Sequence, residues 1–326
     1  MVQTDTRKVL LEVKNLYKSY KVNNGFFRSD AVRAIEDVSF SVYEGETYGI
    51  VGESGCGKST LGKTILQLEV ADSGEVIYQG GNLYNRSSKE IRRSRKDLQM
   101  VFQDPYSSLN PKIIIGKILE EPLIIHKIGQ SAEGRTAIVM EILREVGLQP
   151  EHYFRLPHEL SGGQRQRIGL ARALILQPKI LICDEPVSAL DVIIQSQIIN
   201  LMKKLQKEFH LTYLFISHDI GVVRYISDRI GVMYLGELIE EAETDAIFSN
   251  PLHPYTQALL SAVPQASTEY KKERIMLQGE PPSPLNPPKG CKFHERCPFA
   301  QEKCKSIEPQ RQEVHHNHFV ACHLYG

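Results

Sequence analysis

Val9 to Val13 is apolar at every position but Glu12, a short run that predicts a strand. Val38 to Val42 and Thr47 to Val51 read as further strands, and Glu75 to Tyr78, after Asp72-Ser73-Gly74, as a turn and then a strand. The aromatic residues Tyr17, Tyr20, Phe26 and Phe27 follow the first of these. Downstream the pattern changes. Residues from about 111 to 178 read as mostly helical: Asn110-Pro111 opens the region, Ala137 to Glu145 carries apolar residues at helical spacing, and Gly147 can stop that helix. Ile180 to Cys183 and Thr212 to Ile216 are short and wholly apolar, as strands buried in a parallel sheet are. A helix from about Asp191 to Phe209 separates them, and strands alternating with helices predict an α/β domain. At Gly279 the pattern stops. Gly279 to Pro288 contains five prolines in ten residues, so it reads as a stiff linker or wrapping segment, and the core domain is expected to end near residue 260.

One interruption of the pattern carries chemistry. Between the strand Thr47 to Val51 and a helix-like segment, Thr60 to Leu68, lies Gly52-Glu53-Ser54-Gly55-Cys56-Gly57-Lys58-Ser59-Thr60. This is a nucleotide P-loop in its strand–loop–helix setting. Glycines let successive backbone N–H groups turn toward phosphate oxygens, and the next helix points its positive end at them. Lys58 would reach the β- and γ-phosphates, and the Ser59 hydroxyl would ligate Mg²⁺.

Bulk properties narrow the setting. The 326 residues suffice for one large domain and a smaller one, with 41% hydrophobic and 24% charged residues. Lys plus Arg and Asp plus Glu number 39 each, so no global charge argues for nucleic acid, and the basic run Arg86 to Lys96 reads as a solvated helix face. Met1 to Leu10 is polar and charged, and no apolar run is long enough to span a bilayer. The expected location is the cytoplasm, with any membrane association supplied by a partner.

Two further segments extend the nucleotide reading. Ile180 to Glu185 is an apolar strand ending in two acids. Asp184 can hold Mg²⁺ through water, and Glu185 can polarise a water for attack on the γ-phosphate. Leu160-Ser161-Gly162-Gly163-Gln164 precedes a good helix, so Ser161, two glycines and a helix N-terminus form a second phosphate-binding surface.

These motifs, once each and in order, resemble the ATP-binding cassette of ABC transporters over residues 8–245. Gly52 to Thr60 is similar to the Walker A loop, Gln103 to the Q-loop glutamine, and Leu160 to Gln164 to the signature motif. Asp184 and Glu185 match Walker B and the catalytic glutamate, Ser188-Ala189-Leu190-Asp191 the D-loop, and His218 the switch histidine. The resemblance implies a RecA-like P-loop NTPase fold with a helical subdomain at about residues 105–175. It implies ATP and Mg²⁺ as ligands, with Ser59, Gln103 and Asp184 toward the metal. Nucleotide-binding roles fall on Gly52, Ser54, Gly55, Cys56, Gly57, Lys58, Ser59 and Thr60, on Gln103, on Ser161, Gly162, Gly163 and Gln164, and on Asp184 and Asp191. Tyr20 sits where the family stacks an aromatic on adenine, with Tyr17 as a rival. Lys58, Gln103, Glu185 and His218 are the implied catalytic set.

In the family the signature closes on ATP held by the opposite cassette. The chain carries one cassette, so the resemblance implies a second ATPase subunit and favours a different chain. Asn250 to Pro264, with its His253-Pro254-Tyr255 core, and Asp104 to Pro111 are similar to oligopeptide and dipeptide importer ATPases, in particular their second, F-type subunit. That implies two transmembrane permease subunits, an extracytoplasmic binding protein and a place on the cytoplasmic face of the membrane. Nickel, glutathione and other peptide-like importers share these segments, and a soluble ABC-type ATPase outside transport is the alternative class.

The remaining signal is the tail, residues 246–326. Four of six cysteines, Cys291, Cys297, Cys304 and Cys322, fall in the last 36 residues, with gaps of 5, 6 and 17 residues. Cytoplasmic disulfides are disfavoured, and zinc usually shows gaps of two to four residues within a ligand pair, while iron–sulfur spacings vary. The spacing leaves zinc and iron–sulfur both open. The resemblance implies a four-iron four-sulfur cluster, because related importer ATPases carry such an element. His294, His315, His316, His318 and His323 read as surface residues, and Cys56 and Cys183 as packed thiols.

Overall fold

The computed structural model describes residues 7–23, 29–104, 108–262, 275–277 and 279–326. Phe26 and Phe27, Pro105 to Ser107 and the end of the Asn250–Pro264 segment lie outside that range. In chain order the described elements begin with β1 (Val9–Asn23), β2 (Ser29–Tyr43), β3 (Thr47–Val51), α1 (Lys58–Ile65), β4 (Ser73–Tyr78) and β5 (Gly81–Asn82). Next come α2 (Ser88–Asp97), β6 (Leu98–Val101), α3 (Ile115–Ile125), α4 (Ala132–Glu145), α5 (Gly162–Leu174), β7 (Ile180–Asp184), α6 (Val192–Phe209) and β8 (Thr212–Ser217). The chain closes with α7 (Ile220–Ile226), β9 (Arg229–Tyr234), β10 (Glu237–Glu243), α8 (Thr244–Ser249), α9 (Pro254–Ser261), β11 (Arg311–His315) and β12 (His318–Ala321).

These elements form two compact units, one of residues up to 8, 43–46 and 85–216, the other of residues 9–42, 47–84 and 217–326. In the first, β6, β7 and β8 run parallel, with Leu98 opposite Ile180 and Ile180 opposite Thr212. Every residue of β7 is buried, which accounts for its unbroken apolar run. The basic segment after Arg86 is a helix, as expected: Ser87 and Glu90 form a capping box at the start of α2. Among the helices, Glu120 of α3 is buried, and its carboxylate accepts from Tyr153 Oη at 2.5 Å, Lys117 Nζ at 2.7 Å and Thr136 Oγ1 at 3.1 Å.

The second unit has a sheet of order β2-β1-β4-β5, with β1–β4 and β4–β5 antiparallel, and a further run of order β11-β12-β10-β9-β3, in which only β3 and β9 are parallel. β1 and β2 outrun the strands read from the sequence, and β1 shifts register between Lys14 and Tyr17. α1 stops at Ile65, before the expected Leu68, because Leu66 ends it and Gln67 takes a left-handed φ of 54°.

The largest departure lies in the tail. Its β11–β12 hairpin pairs with β10, with Glu240 opposite Val320 and Glu241 opposite Phe319. His318 is therefore no surface residue: it is 2% exposed and its Nε2 lies 2.8 Å from Glu240 Oε1. Glu241, equally buried, pairs with both Arg229 and Arg311. No described helix is long and apolar enough to cross a membrane.

Candidate functional site

β3 is buried along its length and delivers the chain to Gly52. Close approach explains the glycines. A Cβ on Gly57 would sit 2.0 Å from the Ala34 carbonyl oxygen, and its φ of 107° suits no other residue. A Cβ on Gly52 would sit 2.2 Å from the Met233 carbonyl oxygen. Gly57 starts α1 without a side-chain cap, and the first turn holds no acid, so the positive helix end is presented by backbone alone. Lys58 is buried, and its ammonium donates to the carbonyls of Gly52 at 2.8 Å and Glu53 at 2.9 Å. Cys56 is the packed thiol expected, with burial raising its pKa. Of the two tyrosines, Tyr20 hydrogen bonds to Thr60 of α1, and Tyr17 faces Asp37 and Glu36. His218 lies in this same unit, exposed just after β8, and Asp219 beside it caps α7 through the N–H groups of Gly221 and Val222.

The other unit assembles the acids. Asp184 ends β7, 3% exposed, and Glu185 follows, 8% exposed. Glu185 holds a left-handed φ of 46°, a strained setting for a residue with a side chain. The strain is held in place. Its N–H donates to the Ile216 carbonyl at 2.9 Å, and its own carbonyl accepts from Ser188 Oγ at 3.1 Å. Gln103 Nε2 donates to Glu185 Oε2 at 2.9 Å, so two residues 82 positions apart meet. This arrangement aims a carboxylate from a rigid strand end and steadies it with an amide that can also meet water.

The signature segment is a helix start. Ser161 caps α5 by accepting from the Gln164 N–H at 3.3 Å, and Gln164 Oε1 accepts from the Ser161 N–H at 2.9 Å. Gln164 thus serves the helix itself, while Ser161 stays exposed and free to donate its hydroxyl proton. Asp191 caps α6 through the Ile194 N–H at 3.0 Å. Val192 and Ile193 next to it are 75% and 72% exposed, an apolar surface beside Leu190 and Ile194, which flank Gly162 and Gly163.

In the tail, Cys291, Cys297, Cys304 and Cys322 line one small pocket, walled on its apolar side by Phe293, Phe299 and Leu324. Burial pushes the Cys291 thiol up to about 12, and Cys304, Cys322 and Cys297 push it the same way, so the sulfurs are near neighbours. Gln301 N–H points at Cys304 Sγ at 3.4 Å. Among the described residues no three His, Cys, Asp or Glu side chains are gathered as a single metal ion would require.

Sequence reasoning missed what the His253-Pro254-Tyr255 segment does. It read a turn and a helix, which α9 is, but not the partners. Glu240 accepts from the backbone N–H groups of Leu252 at 2.7 Å and His253 at 2.9 Å. His253 Nδ1 caps α9 by accepting the Tyr255 N–H at 3.0 Å, and Tyr255 Oη accepts the N–H of Glu53 in the phosphate loop at 2.9 Å. Arg296 grips the Glu53 carboxylate from the other side. A buried glutamate inside a strand and an arginine between two cysteines were the only local hints.

Comparison with known proteins follows the same lines. A family model described as ABC transporter matches residues 35–188, and one described as oligopeptide/dipeptide transporter, C-terminal region, matches residues 239–304. The oligopeptide transport ATP-binding protein AppF of Bacillus subtilis is 53% identical over 325 residues, covering 98% of both chains. The oligopeptide transport ATP-binding protein OppF of Haemophilus influenzae is 48% identical over 99% of both, and the dipeptide transport ATP-binding protein DppF of Escherichia coli is 48% identical over 96% of this chain and 93% of its own. Among solved structures, a dimeric ATP-binding cassette in a post-hydrolysis state bound to ADP and Pi superposes with a TM-score of 0.65 at 32% identity, over 72% of this chain and 99% of that one.

Proposed function

The chain belongs to the ATP-binding subunits of the ABC transporter family and is an ATPase of that kind, and from that premise we propose that it energises the import of di- and oligopeptides. The observation that carries this reading is likeness over nearly the whole chain, tail included, to ATP-binding proteins named for oligopeptide and dipeptide transport. Two permeases, a solute-binding protein and a second ATPase subunit are its expected partners, and it sits on the cytoplasmic membrane face through the permeases. The exposed Val192–Ile193 surface beside the signature glycines supports pairing with another cassette.

The roles follow the geometry of each element. Backbone N–H groups at the start of α1 and the Lys58 ammonium bind the phosphates, and Tyr20 offers its ring to adenine. Ser59 and Asp184 offer oxygens of the kind Mg²⁺ takes, and the bound ion would neutralise phosphate charge. Glu185, steadied by Gln103, orients the attacking water, and His218 contacts the γ-phosphate. Ser161 and the N–H groups of Gly162 and Gly163 engage nucleotide carried by the partner cassette.

We propose that the four thiols, which line one pocket with apolar walls, hold an iron–sulfur cluster, with zinc as the alternative. Anaerobically purified protein should hold stoichiometric iron and sulfide, lost in Cys304→Ser; stoichiometric zinc without iron would overturn that assignment. For the transport reading, deletion of the gene should abolish uptake of labelled di- and oligopeptides, restored by the wild-type chain and not by Lys58→Ala. Unchanged peptide uptake, with another solute's uptake lost, would replace peptides as the cargo.

A further inference from the structure

Glu53 is out of place in a loop meant to surround a polyanion. It puts a carboxylate one residue beyond Gly52, where an uncompensated negative charge opposes phosphate. The fold compensates it from outside the loop. Arg296 Nη1 and Nη2 donate to the two carboxylate oxygens at 2.9 and 3.0 Å, fork on fork, and the Arg296 side chain is only 7% exposed. Tyr255 Oη takes the backbone N–H of the same residue. Both ends of Glu53 are thus held by residues more than 200 positions downstream.

The segment that supplies Arg296 runs between two of the four clustered cysteines, Cys291 and Cys297, and is itself docked. Lys292 Nζ donates to Glu36 Oε2 at 2.5 Å and to the Leu235 carbonyl at 3.0 Å, and it pairs with Glu237. Phe293, 2% exposed, packs edge-on against Tyr234 and Tyr255, ring centroids 5.4 and 5.5 Å away. Arg296 is therefore presented by a rigid segment and does not wander on a surface loop.

We propose that Arg296 is a positioning residue of the nucleotide site, cancelling the Glu53 charge and, with Tyr255, fixing the phosphate loop, so that the segment between Cys291 and Cys297 sets nucleotide affinity. The proposal rests on the reading of residues 52–60 as the ATP loop and deepens it. Its physical signature is a charge effect. A carboxylate released from its partner repels a triphosphate more than a diphosphate, and the repulsion disappears when the carboxylate is neutralised. A purely architectural role for Arg296 would show neither dependence.

Calorimetric titration of the purified full-length chain with a non-hydrolysable MgATP analogue and with MgADP tests it. Arg296→Gln should weaken the triphosphate about tenfold and the diphosphate less, with the difference shrinking in high salt. Glu53→Gln should bind near the wild-type level, and the double variant Glu53→Gln/Arg296→Gln should recover most of the loss. Should Arg296→Gln not fold, Arg296→Lys keeps the charge, loses the fork, and should weaken binding about threefold. Wild-type affinity in the Arg296 variants, or a double variant as weak as Arg296→Gln alone, overturns the proposal. Lys58→Ala separates it from its premise: if that variant also binds normally, the loop reading itself has failed.

Discussion

Glu185→Gln should bind MgATP with near wild-type affinity and hydrolyse it roughly 10²- to 10³-fold more slowly, the range that a positioned general base contributes. The substitution is nearly isosteric and keeps a carbonyl oxygen that can accept from Gln103 Nε2, so the 2.9 Å contact survives. The backbone contacts that hold the left-handed φ of 46°, to Ile216 and Ser188, do not involve the side chain's charge and should be untouched. What is lost is the negative charge and basicity that polarise the water and can take its proton. Steady-state phosphate release, set against equilibrium nucleotide binding, is the measurement. A variant that turns over at the wild-type rate would remove Glu185 from the reaction; one that no longer binds nucleotide would make it a structural residue of the site.

Acid should unfold the His253 region ahead of what carboxylate titration alone predicts. His253 is 1% exposed, and burial depresses its pKa to about 4, with Glu240 opposing the shift. In the unfolded chain the imidazole titrates near 6.5. Between these values the unfolded state binds the additional proton, so stability falls as pH drops from about 6.5 to about 4 and this group adds no further loss below. From pH 7 to pH 5 the loss from this one group is about 2 kcal/mol. His253→Asn removes the titration while keeping an acceptor for the Tyr255 N–H. Urea midpoints at pH 7 and pH 5 should therefore differ less in the variant than in the wild type. An equal acid shift in both would mean that His253 is already protonated in the native state.

The residues that sequence displayed most clearly were those whose role is local. The Gly52–Thr60 run, the β7 strand ending in Asp184, the Ser161 helix start and the Asp191 cap each declare themselves within ten residues, because backbone geometry and capping are short-range physics. Glu185 and Gln103 were each singled out by resemblance to a known cassette, and their contact was not foreseen. Nothing in either segment announces a contact across 82 positions.

The tail was least legible. β10 reads as Glu-Leu-Ile-Glu-Glu-Ala-Glu, too acidic to suggest a buried strand. Its buried carboxylates find counterparts in Arg229, Arg311 and His318, the last two about seventy to eighty residues away. A buried charge is tolerable only with such partners, and they are invisible in one dimension. The same reason hid His318, which looks like one more polar residue of a histidine-rich stretch.

The β11–β12 hairpin also decides where this polypeptide tolerates being shortened. A strand whose outer N–H and C=O groups lack a neighbour recruits one from another molecule. β12 occupies that flank of β10. Ending the chain at residue 245, where the nucleotide motifs are complete, would uncover it, take His318 from Glu240 and leave Glu241 only one of its two arginines, Arg229. The fragment that looks sufficient on catalytic grounds is thus the one primed to aggregate, and the cysteine-bearing appendage doubles as its guard.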